Sequence, residues 1–158
     1  MTLRLPMRGG CICGNIRYEV TAHPLIETMC HCTTCQRRTG SAFSMNLIVM
    51  KQDFAVTQGK TVTRDLPTGS GKINVQHFCN DCLVRTHTEP VASPTLVYVR
   101  PGTLDDPKAI NPGVQIWTRS ALPWALRPDT ASCEGDLGED AREAIRVWRK
   151  ANPVCIGD

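Results

Sequence analysis

The sequence predicts a mainly β fold of short antiparallel strands with one α-helix towards the C-terminal end. Three observations predict it. Apolar and polar residues alternate in a series of short segments, Gly- and Pro-containing turns separate those segments, and a single late stretch repeats its apolar residues at helical spacing. A length of 158 residues suits one domain. An apolar share of 41% is enough to bury a core, and aromatics at 5% make that core aliphatic.

In Asn15–Val20, Ile16, Tyr18 and Val20 fall on one face, as in a half-buried strand. Ser44–Met50 and Phe54–Thr57 read as further strands, and Thr61–Arg64 as a short one. Lys72–Phe78 alternates and runs directly into Cys79. Thr95–Arg100 and Val114–Thr118 complete the set. Gln58-Gly59, Pro67–Gly71, Pro101-Gly102 and Asn111–Gly113 supply the turns. In the helix, Asp136 reads as the N-cap with Glu139 as its capping-box partner, and Ala141, Ala144, Ile145 and Trp148 form one apolar stripe. Arg142, Arg146, Arg149 and Lys150 read as solvated charge complementing the helix dipole, with a basic docking face as the alternative.

A net charge of +3 is too small to hold nucleic acid by bulk electrostatics, and no long basic tail is present. The longest apolar run, Leu47–Met50, is far short of a membrane span, and Met1–Arg8 lacks the apolar stretch of a signal peptide. The expectation is a soluble cytoplasmic protein, with neither membrane nor nucleic acid as a partner. In a reducing compartment, clustered cysteines read as metal ligands or catalytic thiols in preference to disulfides.

Seven of the 9 cysteines fall in three clusters: Cys11 and Cys13, then Cys30, Cys32 and Cys35, then Cys79 and Cys82. Cys-x-x-Cys on a tight turn, or Cys-x-Cys in extended chain, can aim two sulfurs at one tetrahedral metal. Four thiolates close a structural zinc site, and three leave a position open for water or substrate. The compact trio can hold one ion alone, which leaves Cys11 and Cys13 to meet Cys79 and Cys82. A competing partition joins Cys11 and Cys13 to two of the trio and leaves Cys79 and Cys82 as a free dithiol. An iron–sulfur cluster on the trio and a redox or metal-sensing role are the other readings of the thiols. With two zinc ions bound as four and three thiolates, the +3 is cancelled. Cys133 and Cys155 are left as free thiols without a role. The resulting organisation is a zinc-binding β domain over 1–135, a helix at 136–151 packed on or beside it, and a loose tail at 152–158.

The motifs Gly10–Gly14, Cys30–Phe43 and His77–Cys82 together resemble the glutathione-dependent formaldehyde-activating enzyme family, which also includes the centromere protein V type. Pro101–Asp106 and Gln115–Trp124 are similar to its later motifs, so the resemblance spans about residues 8 to 130. It implies a β-tent of twisted antiparallel sheets built around zinc. It also implies a structural zinc on Cys11, Cys13, Cys79 and Cys82 and a catalytic zinc on Cys30, Cys32 and Cys35. The activity it implies is that of S-(hydroxymethyl)glutathione synthase, a carbon–sulfur lyase. The chain departs from the family at Leu83, where Gly is usual, in Leu83–Pro90, in Thr130–Cys133 and in its C-terminal helix.

An open zinc on three thiolates binds a thiol and lowers its pKa, and it polarises a carbonyl oxygen. The sequence reading is therefore a lyase acting on a glutathione or similar thiol adduct with an aldehyde; the alternative is a zinc-stabilised binding module without catalysis. Arg37 and Arg38 follow the trio directly and are candidates to bind the carboxylates of glutathione, as against a solvated pair. His31 reads as a surface imidazole or one set behind the metal ligands, with a ligand or acid–base role as the alternative. His23, His77 and His87 read as structural or exposed.

Overall fold

The computed structural model describes residues 2–138 and 141–156. Among them lie thirteen strands and two α-helices. β1 (Leu3–Leu5) and β2 (Met7–Gly10) open the chain, followed by β3 (Arg17–Val20) and β4 (Ile26–Cys30). The first helix, α1 (Thr33–Thr39), leads to β5 (Ser44–Met50), β6 (Phe54–Gln58) and β7 (Thr61–Pro67). β8 (Ile73–Cys79), β9 (Arg85–Pro90), β10 (Leu96–Val99), β11 (Val114–Ile116) and β12 (Ala131–Ser132) follow. The chain ends with α2 (Ala141–Ala151) and β13 (Val154–Ile156).

The main sheet has eight strands in the order β12-β11-β4-β5-β10-β9-β8-β7. Its pairs are antiparallel except at one end, where β11 runs parallel to both β4 and β12. β2, β3 and β6 form a second, antiparallel sheet, and β1 pairs in parallel with β13.

The alternation seen in the sequence sorts the main sheet into two faces. On β5 and β10, Leu47, Val49, Val97 and Val99 are buried in the core with Val20, Ile26 and Tyr18. The intervening Ser44, Asn46, Ile48, Leu96 and Tyr98 point the other way and line a cavity. The core is mostly aliphatic, as the composition implies.

α2 begins at Ala141, so Asp136, a bend residue five positions earlier, is not its N-cap, and Glu139, expected as the capping-box partner, lies outside the described residues. Trp148 is buried, and its Nε1 donates to the Asn111 carbonyl at 2.6 Å. A Cβ on Gly113 would stand 2.3 Å from the Trp148 ring, so glycine is what lets the helix sit this close. Arg142, Arg146, Arg149 and Lys150 are all exposed, which fits solvated charge.

Three further sequence readings need correction. The C-terminal helix is joined by a second one, α1, which is short and has no buried stripe to announce it. β4 and β9 are strands where no alternation is visible. Residues 152–156 are tied down instead of loose: Asn152 is buried and donates to the Trp148 carbonyl, and Val154–Ile156 pair with Leu3–Leu5.

Candidate metal centres and cavity

Cys11 follows β2 and Cys13 lies in the turn before β3. A hydrogen bond from Ile16 N–H to Cys11 Sγ at 3.2 Å and one from Gly14 N–H to the Cys11 carbonyl at 3.1 Å shape that turn. Cys79 ends β8 and Cys82 lies in the turn to β9, where Leu83 N–H donates to the Cys79 carbonyl at 3.1 Å. Leu83 has φ 58°, so it adopts the left-handed conformation that usually favours glycine. The four sulfurs lie within 4.8 Å of one another. Cys13 Sγ stands 3.4 Å from Cys11 Sγ and 3.6 Å from Cys79 Sγ. Sulfurs on a tetrahedral zinc with Zn–S of about 2.3 Å lie roughly 3.8 Å apart, so this set fits zinc. The Val84 backbone N–H and the neighbouring thiols bring the Cys82 thiol down to about 6.

The trio is built where β4 meets α1. Cys30 closes the strand, Cys32 caps the helix by accepting from Cys35 N–H at 3.3 Å, and Cys35 lies in the first turn. Their sulfurs also lie within 4.8 Å of one another. Hydrogen bonds from Cys30 and then Cys35 lower the Cys32 thiol to about 2, while the contacts with Cys32 and Cys35, then burial, push Cys30 up. A bound cation would allow all three to be thiolates. The all-sulfur donor set fits zinc here too. The partition of four and three is the one observed, and the competing pairing of Cys11 and Cys13 with the trio is not.

Cys30, Cys32 and Cys35 line a cavity of about 330 Å³, while the four-sulfur group is not on its wall. Gly69 closes over the trio so tightly that an added Cβ would stand 3.1 Å from Cys32 Sγ. The opposite wall comes from β8, β9 and β10, and Leu137, Ala141 and Ile145 supply an apolar side. Arg38 lines the cavity and donates to the Pro67 carbonyl at 2.8 Å; Arg37 is exposed and does not line it.

The chain matches the family model described as glutathione-dependent formaldehyde-activating enzyme over residues 6–120. It belongs to that family. A crystal structure of a Rhodobacter sphaeroides protein is similar in fold, with a TM-score of 0.53 and 21% identity over 80% of this chain and 100% of that one. No curated protein matches the chain by sequence. Leu83, which the sequence reading set down as a departure from the glutathione-dependent formaldehyde-activating family, keeps a left-handed backbone, and the turn is formed.

His31 is fully buried, packed edge-on to Phe43 at 5.5 Å between ring centroids, which excludes the surface reading. It stands outside the three-sulfur group. His77 and His87 stack at 4.1 Å, His87 against Phe54 at 4.6 Å, and both lie near Glu89. Burial holds all these imidazoles below their ordinary pKa. Lys51 occupies the Glu89 carboxylate at 2.6 Å, so the stack reads as packing.

Sequence reasoning missed Arg85 and Arg100, whose side chains reach the same cavity. Arg85 lies on β9, one of the strands the alternation did not reveal, and Arg100 directly follows β10. Cys155 is exposed, and Cys133 is half-buried against the core.

Proposed function

We propose that this chain is a zinc-dependent carbon–sulfur lyase acting on a glutathione or related thiol adduct. The reaction is reversible addition: the thiol sulfur bonds to the aldehyde carbon, and the thiol proton ends on the resulting hydroxyl of the S-hydroxyalkyl product. The observation that carries this reading is that the three-sulfur group opens on the cavity while the four-sulfur group does not. Cys30, Cys32 and Cys35 are the reactive centre in this reading, and Cys11, Cys13, Cys79 and Cys82 are structural. When bound to the trio, zinc supplies an activated thiolate and a polarising centre for the carbonyl oxygen.

The chain's own residues shape the rest. Arg100 Nη1 donates to Ser44 Oγ at 2.6 Å and to Asn46 Oδ1 at 2.8 Å, which fixes both polar side chains on the cavity face. Burial raises the Tyr98 hydroxyl above its ordinary pKa, so it stays protonated and offers a donor on the same face. The apolar side from Leu137, Ala141 and Ile145 limits the water that competes with a thiol. Of Arg37 and Arg38, Arg38 is the one we assign to substrate.

Measuring zinc per chain before and after mild chelation, followed by assays with paired thiols and aldehydes, tests the reading. One tightly held and one exchangeable zinc with thiol-dependent turnover is the expected result. A single tight zinc without turnover would point to a binding module instead.

A further inference from the structure

Arg85 and Arg100 face the trio's cavity from the opposite wall, and Arg38 joins them from α1. Each of the three donates to a neutral acceptor. Arg85 meets Gln76 Oε1, Arg100 meets Ser44 and Asn46, and Arg38 meets a backbone carbonyl. Among the described residues no carboxylate pairs with any of them. Among the described residues the carboxylate on the cavity rim is that of Asp136, which is exposed and acts on Tyr98, with no part in the charge environment of Arg85 or Arg100.

Holding guanidinium groups together away from water without a counter-charge is unfavourable. Burial and the neighbouring guanidiniums lower Arg85 to about 9; burial lowers Arg100 to about 10 despite the nearby Cys35 and Cys30. The trio cannot balance them, because three thiolates on a divalent cation carry a single net negative charge against three positive ones. The planar fork of arginine is built for bidentate recognition of a carboxylate.

We infer that Arg85 and Arg100, with Arg38 beside them, bind a carboxylate of the substrate whose sulfur is delivered to Cys30, Cys32 and Cys35. The ligand class is an acidic thiol or its adduct, and neutral thiols lose this anchor. This inference rests on the lyase reading for the role of the trio, but it is tested without turnover.

The test is calorimetric titration of the zinc-loaded protein with S-methylglutathione, whose blocked sulfur cannot bind as a thiolate, and with its diethyl ester. The free acid binds at least tenfold more tightly than the diester. Arg85→Met removes most of that preference while keeping the wild-type zinc content and circular dichroism, and Arg85→Lys restores part of it. Equal affinity of the wild type for acid and diester, or binding of neither, overturns the inference. So does an Arg85→Met protein that keeps the full preference, or that changes only zinc retention. A preference for the acid in a protein that proves to have no lyase turnover supports the anion site and overturns the lyase reading alone.

Discussion

Leu83 holds φ 58° while its side chain is 71% exposed, so the backbone is held in an unfavourable conformation with little packing in return. Leu83→Gly is expected to raise stability by about 1 kcal/mol, read as a higher melting temperature of the zinc-loaded protein. A lower melting temperature would mean that the leucine side chain contributes something its exposure conceals. Glu27 is a different kind of strained residue. It is buried on β4, and burial lifts its carboxyl to about 7 even though Asn111 N–H donates to Oε2 at 2.7 Å. The folded state therefore keeps a proton that the unfolded chain releases above about pH 4.5. Stability falls as pH rises from there to about 7, by about 3 kcal/mol, and levels off above. Glu27→Gln is expected to remove this decline. The comparison with wild type across pH isolates it, because the histidines, all lowered, act the other way below about pH 6.5. Parallel stability curves for the two proteins would refute the assignment.

At the scale of elements, the helix wall depends on one anchor. Trp148→Ala removes the buried ring and its bond to Asn111, and is expected to cost about 3–5 kcal/mol. It should also increase hydrogen exchange in Ala141–Ala151 more than in β5 or β10; uniform loss across the chain would place the anchor elsewhere. This helix was legible in the sequence because its stripe repeats at 3.6 residues. Strands β3 and β5 were legible because one face is more buried than the other, and β8 because its sequence alternates. β4 was not legible, since Ile26–Cys30 are buried on both faces and a fully buried strand loses its alternation. β9 was hidden for a different reason: Arg-Thr-His-Thr-Glu-Pro carries no apolar side chain to alternate, and its burial depends on partners across the sheet. The sulfur groups were the most legible part of the site, because spacing alone brings two or three sulfurs together. The cationic wall was not, because Arg85 and Arg100 become neighbours only through the antiparallel pairing of β9 with β10.

For the whole molecule, the two sulfur groups should fail differently. Cys79→Ser removes a sulfur from the group that joins the β2–β3 turn to the β8–β9 turn, so on the proposed reading it is expected to lower the melting temperature strongly and lose the tight zinc. Cys32→Ser should abolish turnover and the exchangeable zinc with a small change in melting. The same large loss of stability in both proteins would contradict the division into structural and reactive centres. The pairing of β1 with β13 has a consequence for the order of events during synthesis. Leu3 waits for Val154, nearly the whole length of the chain later, before its backbone gains a strand partner. Contacts so distant in sequence form slowly. A nascent chain can therefore pair the strands that carry the sulfurs while β1 still lacks its partner, so this clasp is the last backbone pairing to close.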